Sequence, residues 1–206
     1  MLDRNEPGVS MATKEDILEQ IAEEYLLHEG YFVRHNLKFL PSRDHVDFIT
    51  NQDSNHSDID VMGLHPSKSG PERVIVVSCK SWQGGFDPAA ELRAINDGRT
   101  VRGKDAWKSF RELTKPKWSE AFVAAIEAAT GARSFTYVLA VTKVVGNKAV
   151  WETHQPFRDA IGRNPIQILD LRTMLGRIAP NLSTTLASTE VGRLLQLFKA
   201  AGVKID

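Results

Sequence analysis

The chain has 206 residues, carries no net charge, and is 42% hydrophobic and 25% charged. Those values suit one soluble globular domain with room for a core, and they argue against a protein held on nucleic acid by bulk charge alone. No run reaches the roughly 18 apolar residues that cross a bilayer, and the lone cysteine, Cys79, excludes an internal disulfide or a Cys-type zinc cluster. The expectation is a cytoplasmic protein without a membrane partner. Charge is nevertheless uneven: residues 1–30 hold eight acids against Arg4 and Lys14, whereas residues 101–120 hold six bases against Asp105, Glu112 and Glu120. A polyanion would therefore be held locally.

Residues 1–11 read as a flexible polar tail without a signal-peptide core, with Met11 as an alternative start, and residues 12–206 as a single domain. Thr13 with Asp16 resembles a capping box, and Leu18, Ile21, Ala22, Tyr25 and Leu26 recur at helical spacing until Gly30. Strands are predicted at 31–34, 46–49 and 58–64, with the polar run 51–56 as a turn and 66–71 as a loop. The run Val74-Ile75-Val76-Val77 suits a central strand buried on both faces. Gly84-Gly85 breaks the chain before a short helix at 88–96. A helix is predicted from 104 to 114, another after Pro116 as far as 129, and a buried strand at 135–141. Helices at 150–161, 173–178 and 190–201 follow, with a short strand at 166–169. This order predicts an α/β three-layer fold with a central mixed sheet.

Chemistry is concentrated in two segments. Ser57-Asp58-Ile59-Asp60-Val61 is an acidic strand, and eighteen residues after Asp60 an apolar strand ends in Ser78-Cys79-Lys80. Alternation places Asp58 with Asp60, and Ser78 with Lys80, on one face of their strands. If the two strands pair, Asp60 and Lys80 meet at one end of the sheet. A carboxylate there would hold Mg²⁺ or Mn²⁺ through oxygen, and a lysine beside it would orient a water or neutralise charge on a phosphate. The alternative is an exposed polar strand face and a solvated lysine.

These segments resemble the PD-(D/E)XK nuclease superfamily, the restriction-endonuclease-like fold, nearest its Holliday-junction-resolvase and type IV restriction branch. The resemblance spans roughly residues 13–90. It implies a metal-dependent DNA endonuclease in which Asp60 ligates metal, Lys80 is the catalytic lysine and Glu19, on the first helix, completes the metal site. Glu23, one turn on, is a second candidate, and Gln83 matches a glutamine that touches substrate or lysine. Ser78 departs from the pattern, which calls for a second acid. Three readings stay open: a carboxylate recruited from the following helix (Glu91) or from Glu19, a decayed site that only binds nucleic acid, or an acid replaced to trap an inactive form.

Lys104, Lys108, Arg111 and Lys115 fall on one stripe of the predicted helix and could follow a phosphate backbone of DNA or RNA. The alternative there is a solvated face, with Trp107 and Phe110 in the core. Trp82 could stack on a base or serve as a core residue. The six histidines show no metal-binding spacing, though His56 lies two residues before Asp58. The apolar C-terminal helix, with Val191, Leu194, Leu195, Leu197 and Phe198, either caps the core or forms a homodimer face.

Overall fold

The structure, a computed structural model, describes residues 14–183 and 185–204, with side chains from Ile17 onward. The predicted tail and Thr13 lie outside what it describes, as does the side chain of Asp16, Thr13's partner in the predicted cap. In chain order the elements are α1 (Lys14–His28), β1 (Phe32–Phe39), α2 (Thr50–Asp53), β2 (Ser57–Leu64), β3 (Val74–Lys80) and α3 (Pro88–Asn96). A small hairpin follows, β4 (Thr100–Val101) and β5 (Lys104–Asp105), then a 3₁₀ turn Ala106–Phe110, α4 (Arg111–Thr114), α5 (Pro116–Thr130) and β6 (Thr136–Val141). The chain closes with α6 (Ala149–Glu152), α7 (Gln155–Ala160), β7 (Ile166–Asp170), α8 (Leu171–Asn181) and α9 (Glu190–Ala200).

Five strands form one mixed sheet in the order β1-β2-β3-β6-β7, antiparallel from β1 to β3 and parallel from β3 to β7. β3 is the middle strand, and its Val74, Val76, Val77 and Cys79 are buried, as its apolar run predicts. Helices cover both faces, which gives the predicted three-layer α/β plan. On one face α1, α8 and α9 bring Leu18, Leu26, Met174, Ile178 and Leu195 against Val61, Val77 and Val138. On the other, α3 to α7 bring Leu92, Phe110, Trp118, Phe122, Trp151 and Phe157 against Met62, Val76, Leu139 and Ile168. Gly63 permits the first layer to close: a Cβ there would lie 3.0 Å from Tyr31 and 3.2 Å from Leu26.

Three predicted elements are corrected. Residues 46–49 form no strand; Val46 and Ile49 are exposed, and the chain enters α2 at once. The predicted 104–114 helix is instead a strand, a 3₁₀ turn and one α turn, because the Arg102-Gly103 pair reverses the chain and fixes Lys104 and Asp105 opposite Val101 and Thr100. The helix at 150–161 is broken by Pro156, which opens α7 as a new first turn. The C-terminal helix is divided: Leu195 is buried against α1 and α8, while Leu194, Leu197 and Phe198 stay exposed. No described helix is long and apolar enough to cross a membrane.

Candidate functional site

The sheet opens where β2 and β3 part. Their ladder runs only from Val61–Val77 to Leu64–Val74, while β3 stays paired with β6 as far as Lys80. In the gap the Asp60 carboxylate replaces the missing ladder partner: its Oδ2 accepts the Cys79 N–H at 2.5 Å. On the other side of β2 the ladder with β1 also skips one pair, Asn36 opposite Asp60, and Asn36 is in the left-handed region at φ +52°. Asparagine tolerates that conformation better than most residues. The break swaps the faces of both strands. Val33 and Val61 pack toward α1, whereas Leu37, Phe39 and Ile59 pack toward α5. Ile59 therefore lines the same space as its acidic neighbours, against the simple alternation.

That space is a polar cavity of about 140 Å³. Asp58, Asp60, Ser78, Lys80 and Trp82 line it from the sheet, and Lys104, Lys108, Arg111 and Glu112 from the segment before α5. It lies over the second half of β3 and the first half of β2 and reaches Tyr137 near the start of β6. Lys80 Nζ donates to Ser78 Oγ and to the Cys79 carbonyl, each at 3.1 Å.

Glu112 went unnoticed in the sequence. It is 7% exposed, and its Oε1 accepts the Tyr137 hydroxyl at 2.6 Å. Tyr137 is itself fully buried, and burial, then the Glu112 charge, hold its hydroxyl protonated well above the usual range. Ser78 shares the cavity with Tyr137 and opposes that rise. Tyr137 thus ties Glu112 on α4 to β6, and Ser78 on β3 lines the same cavity. The available signal was an acid set among apolar residues, Phe110 and Leu113, which a solvated helix face does not need.

The other expected residues lie elsewhere. Glu19 is half-buried on α1, whose core-facing residues pack on the opposite face of the sheet, and it does not line the cavity. Glu23 contacts His35 at 3.2 Å. Glu91 is buried on α3 on the cavity's side of the sheet, but it pairs with Arg102 at 3.0 Å and lies off the cavity lining. Gln83 and His56 are exposed and also outside it. Of the basic stripe, Lys104, Lys108 and Arg111 reach the cavity, whereas Lys115 lies over the Trp107 ring.

Burial pushes the Asp60 carboxyl up to about 6; Lys80 and the Cys79 N–H oppose this, and Asp58 and Glu112 add to it. A carboxyl so raised favours the fold in its protonated form. Its stabilisation is complete below the ordinary carboxylate range and is lost as pH rises through about 6. In EDTA at neutral pH, Asp60→Asn is expected to stabilise the protein by about 2–3 kcal/mol, since one pKa unit is worth about 1.4 kcal/mol. The gain should vanish in acid. Urea denaturation at the two pH values checks it, and a variant no more stable than the parent at neutral pH refutes it.

The excess of buried negative charge suits a cation. Among the described residues no three His, Cys, Asp or Glu side chains group to hold a metal. Of the three carboxylates that line the cavity Asp58 is exposed, which leaves Asp60 and Glu112 as the more buried donors, and the hydrogen bonds from Cys79 and Tyr137 use one oxygen of each. Two carboxylates fit Mg²⁺, which is commonly held by one or two and keeps several waters. Comparison of the chain with family models, with curated proteins and with solved structures returned no match.

Proposed function

We propose that this protein is a Mg²⁺- or Mn²⁺-dependent nuclease that hydrolyses phosphodiester bonds in DNA. One observation carries the reading: Asp60, Lys80 and Glu112 face one polar cavity whose wall also presents Lys104, Lys108 and Arg111. The carboxylates alone would repel a phosphate; the four cations that share the cavity, Lys80, Lys104, Lys108 and Arg111, reverse that. Asp60 and Glu112 would hold the cation, which would polarise the scissile phosphate and neutralise the charge developing on it. Lys80, positioned by Ser78 and the Cys79 carbonyl, places an ammonium where it can orient the attacking water or meet that charge. Lys104, Lys108 and Arg111 would bind the backbone irrespective of sequence. Glu112 then takes the place of the acid that Ser78 does not supply. A setting in restriction or phage defence, and a homodimer through the exposed side of α9, are proposals of the same standing.

A second reading, nucleic-acid binding without cleavage, is favoured by Ser78, which brings no charge to the cavity. Cleavage of plasmid and single-stranded DNA by the full chain, with Mn²⁺, Mg²⁺ or EDTA, separates the two. Metal-dependent nicking or shortening is expected. Binding without cleavage under every metal condition would establish the second reading.

A further inference from the structure

We infer that Trp82 is a stacking site for an unpaired nucleobase and that Arg102 occupies it in the free protein. This rests on the cavity's assignment to nucleic acid but not on hydrolysis. Trp82 lies two residues beyond Lys80 and lines the cavity mouth. The core holds its ring from behind: Phe86 lies 5.7 Å away at 37° and Phe110 6.0 Å away at 81°. The Arg102 guanidinium covers the ring at 3.6 Å from its centroid.

Arg102 reaches that position from an uncommon backbone. It is the first of two central residues in the β4–β5 hairpin, at φ +52°, followed by Gly103 at +79°. Asn, Asp or Gly ordinarily fills such a position, and a long side chain there is costly. There it holds a flat cation over an indole, and among the described residues Glu91 pairs with it, at 3.0 Å. The Arg102 side chain remains 44% exposed. Each strand of the hairpin has two residues, so little structure opposes its displacement. A base joined to phosphates offers both groups a better partner: its ring stacks on Trp82, and its phosphate draws the guanidinium off. The same ring is out of reach while bases are stacked in a duplex, so the ligand class is single-stranded or locally unpaired nucleic acid.

The test uses the full chain in EDTA with a short thymidine oligonucleotide and with a duplex of equal length. Trp82→Ala should weaken single-strand binding about 5- to 150-fold, the range for loss of one base–aromatic stack, and leave the duplex unchanged. Trp82→Phe keeps a ring and so protects the fold; it should retain affinity but lose the tryptophan quenching that the oligonucleotide causes in the parent. Absence of single-strand binding, equal loss on both ligands, or quenching that persists in Trp82→Phe overturns the inference. Hydrolysis is scored separately with Mn²⁺. Trp82-dependent binding without cleavage would overturn the nuclease and support the stacking site, whereas cleavage with unaltered Trp82→Ala binding would do the reverse.

Discussion

Lys80→Ala and Glu112→Gln should each lower Mn²⁺-dependent DNA cleavage by about 10²–10⁴-fold, the range for loss of a group acting on the transition state. Glu112→Gln keeps the side chain's volume, Lys80→Ala truncates it at Cβ, and each removes one charge from the cavity. For Lys80 the expected loss is in kcat, because its ammonium is already positioned by Ser78 and Cys79 and meets charge that grows during reaction. For Glu112 the loss should instead appear first as a higher metal requirement, since the carboxylate is one of the two proposed to hold the cation, and excess Mn²⁺ should recover part of the rate. Ser78→Glu in the Glu112→Gln background tests the substitution of one acid for the other. A partial return of activity is expected, because positions 78 and 112 line the same cavity beside Tyr137. Glu112→Gln with parental rate and metal dependence would sink the role given to Glu112. Cleavage that appears only with Ser78→Glu would identify serine as the residue that silences the site.

Asp53→Ala should destabilise the fold by about 3–5 kcal/mol, as expected when a buried charge loses its partner. Asp53 is 1% exposed; its carboxylate accepts Lys117 Nζ at 2.6 Å, the Ile49 N–H at 2.7 Å and the Trp118 indole N–H at 3.1 Å. Burial alone would raise its pKa, but those donors together hold it below the usual value. Its contribution is therefore present at neutral pH and lost as pH falls through and below the ordinary carboxylate range. Lys117 also donates to the Asp47 carbonyl at 2.8 Å, so the pair fastens the whole connection between β1 and β2 to α5. Removing the acid leaves a buried ammonium and an indole N–H unpaired. Asp53→Leu combined with Lys117→Met should cost far less, because an apolar pair of similar volume carries no desolvation penalty. Urea denaturation of the two variants decides: equal losses would show that the ion pair is not what holds the connection. The effect should also reach the cavity, since β2 begins at Ser57, four residues after Asp53.

Asp60 and Lys80 could be read from the chain because Asp60 sits in one strand pattern and Lys80 closes the next. Alternation puts Ser78 and Lys80 on one face, and the apolar run before them makes β3 the central strand, so its end had to open on a layer boundary. Glu91 lies on the predicted helix, α3, which spans the expected residues, yet its carboxylate turns to Arg102 because a hairpin absent from the periodicity brings that guanidinium within 3.0 Å. Lys104, Lys108 and Arg111 reach the cavity although no continuous helix carries them; the hairpin and the 3₁₀ turn place them there instead.

By itself the sequence determined the three-layer α/β plan, the order of most helices and strands, and the juxtaposition of Asp60 with Lys80. The plan and order depend on side-chain periodicity, a local property of the chain, and the juxtaposition on β2 and β3 being neighbours in the sheet. Tertiary structure alone decided which second carboxylate faces the cavity, which helices lie across the sheet from it, and what covers the Trp82 ring. Glu112 lies 52 residues from Asp60, and Arg102 lies 20 from Trp82. Their meeting depends on how α4 packs on the sheet and how the hairpin folds back, and burial then sets the charge that the finished site will accept.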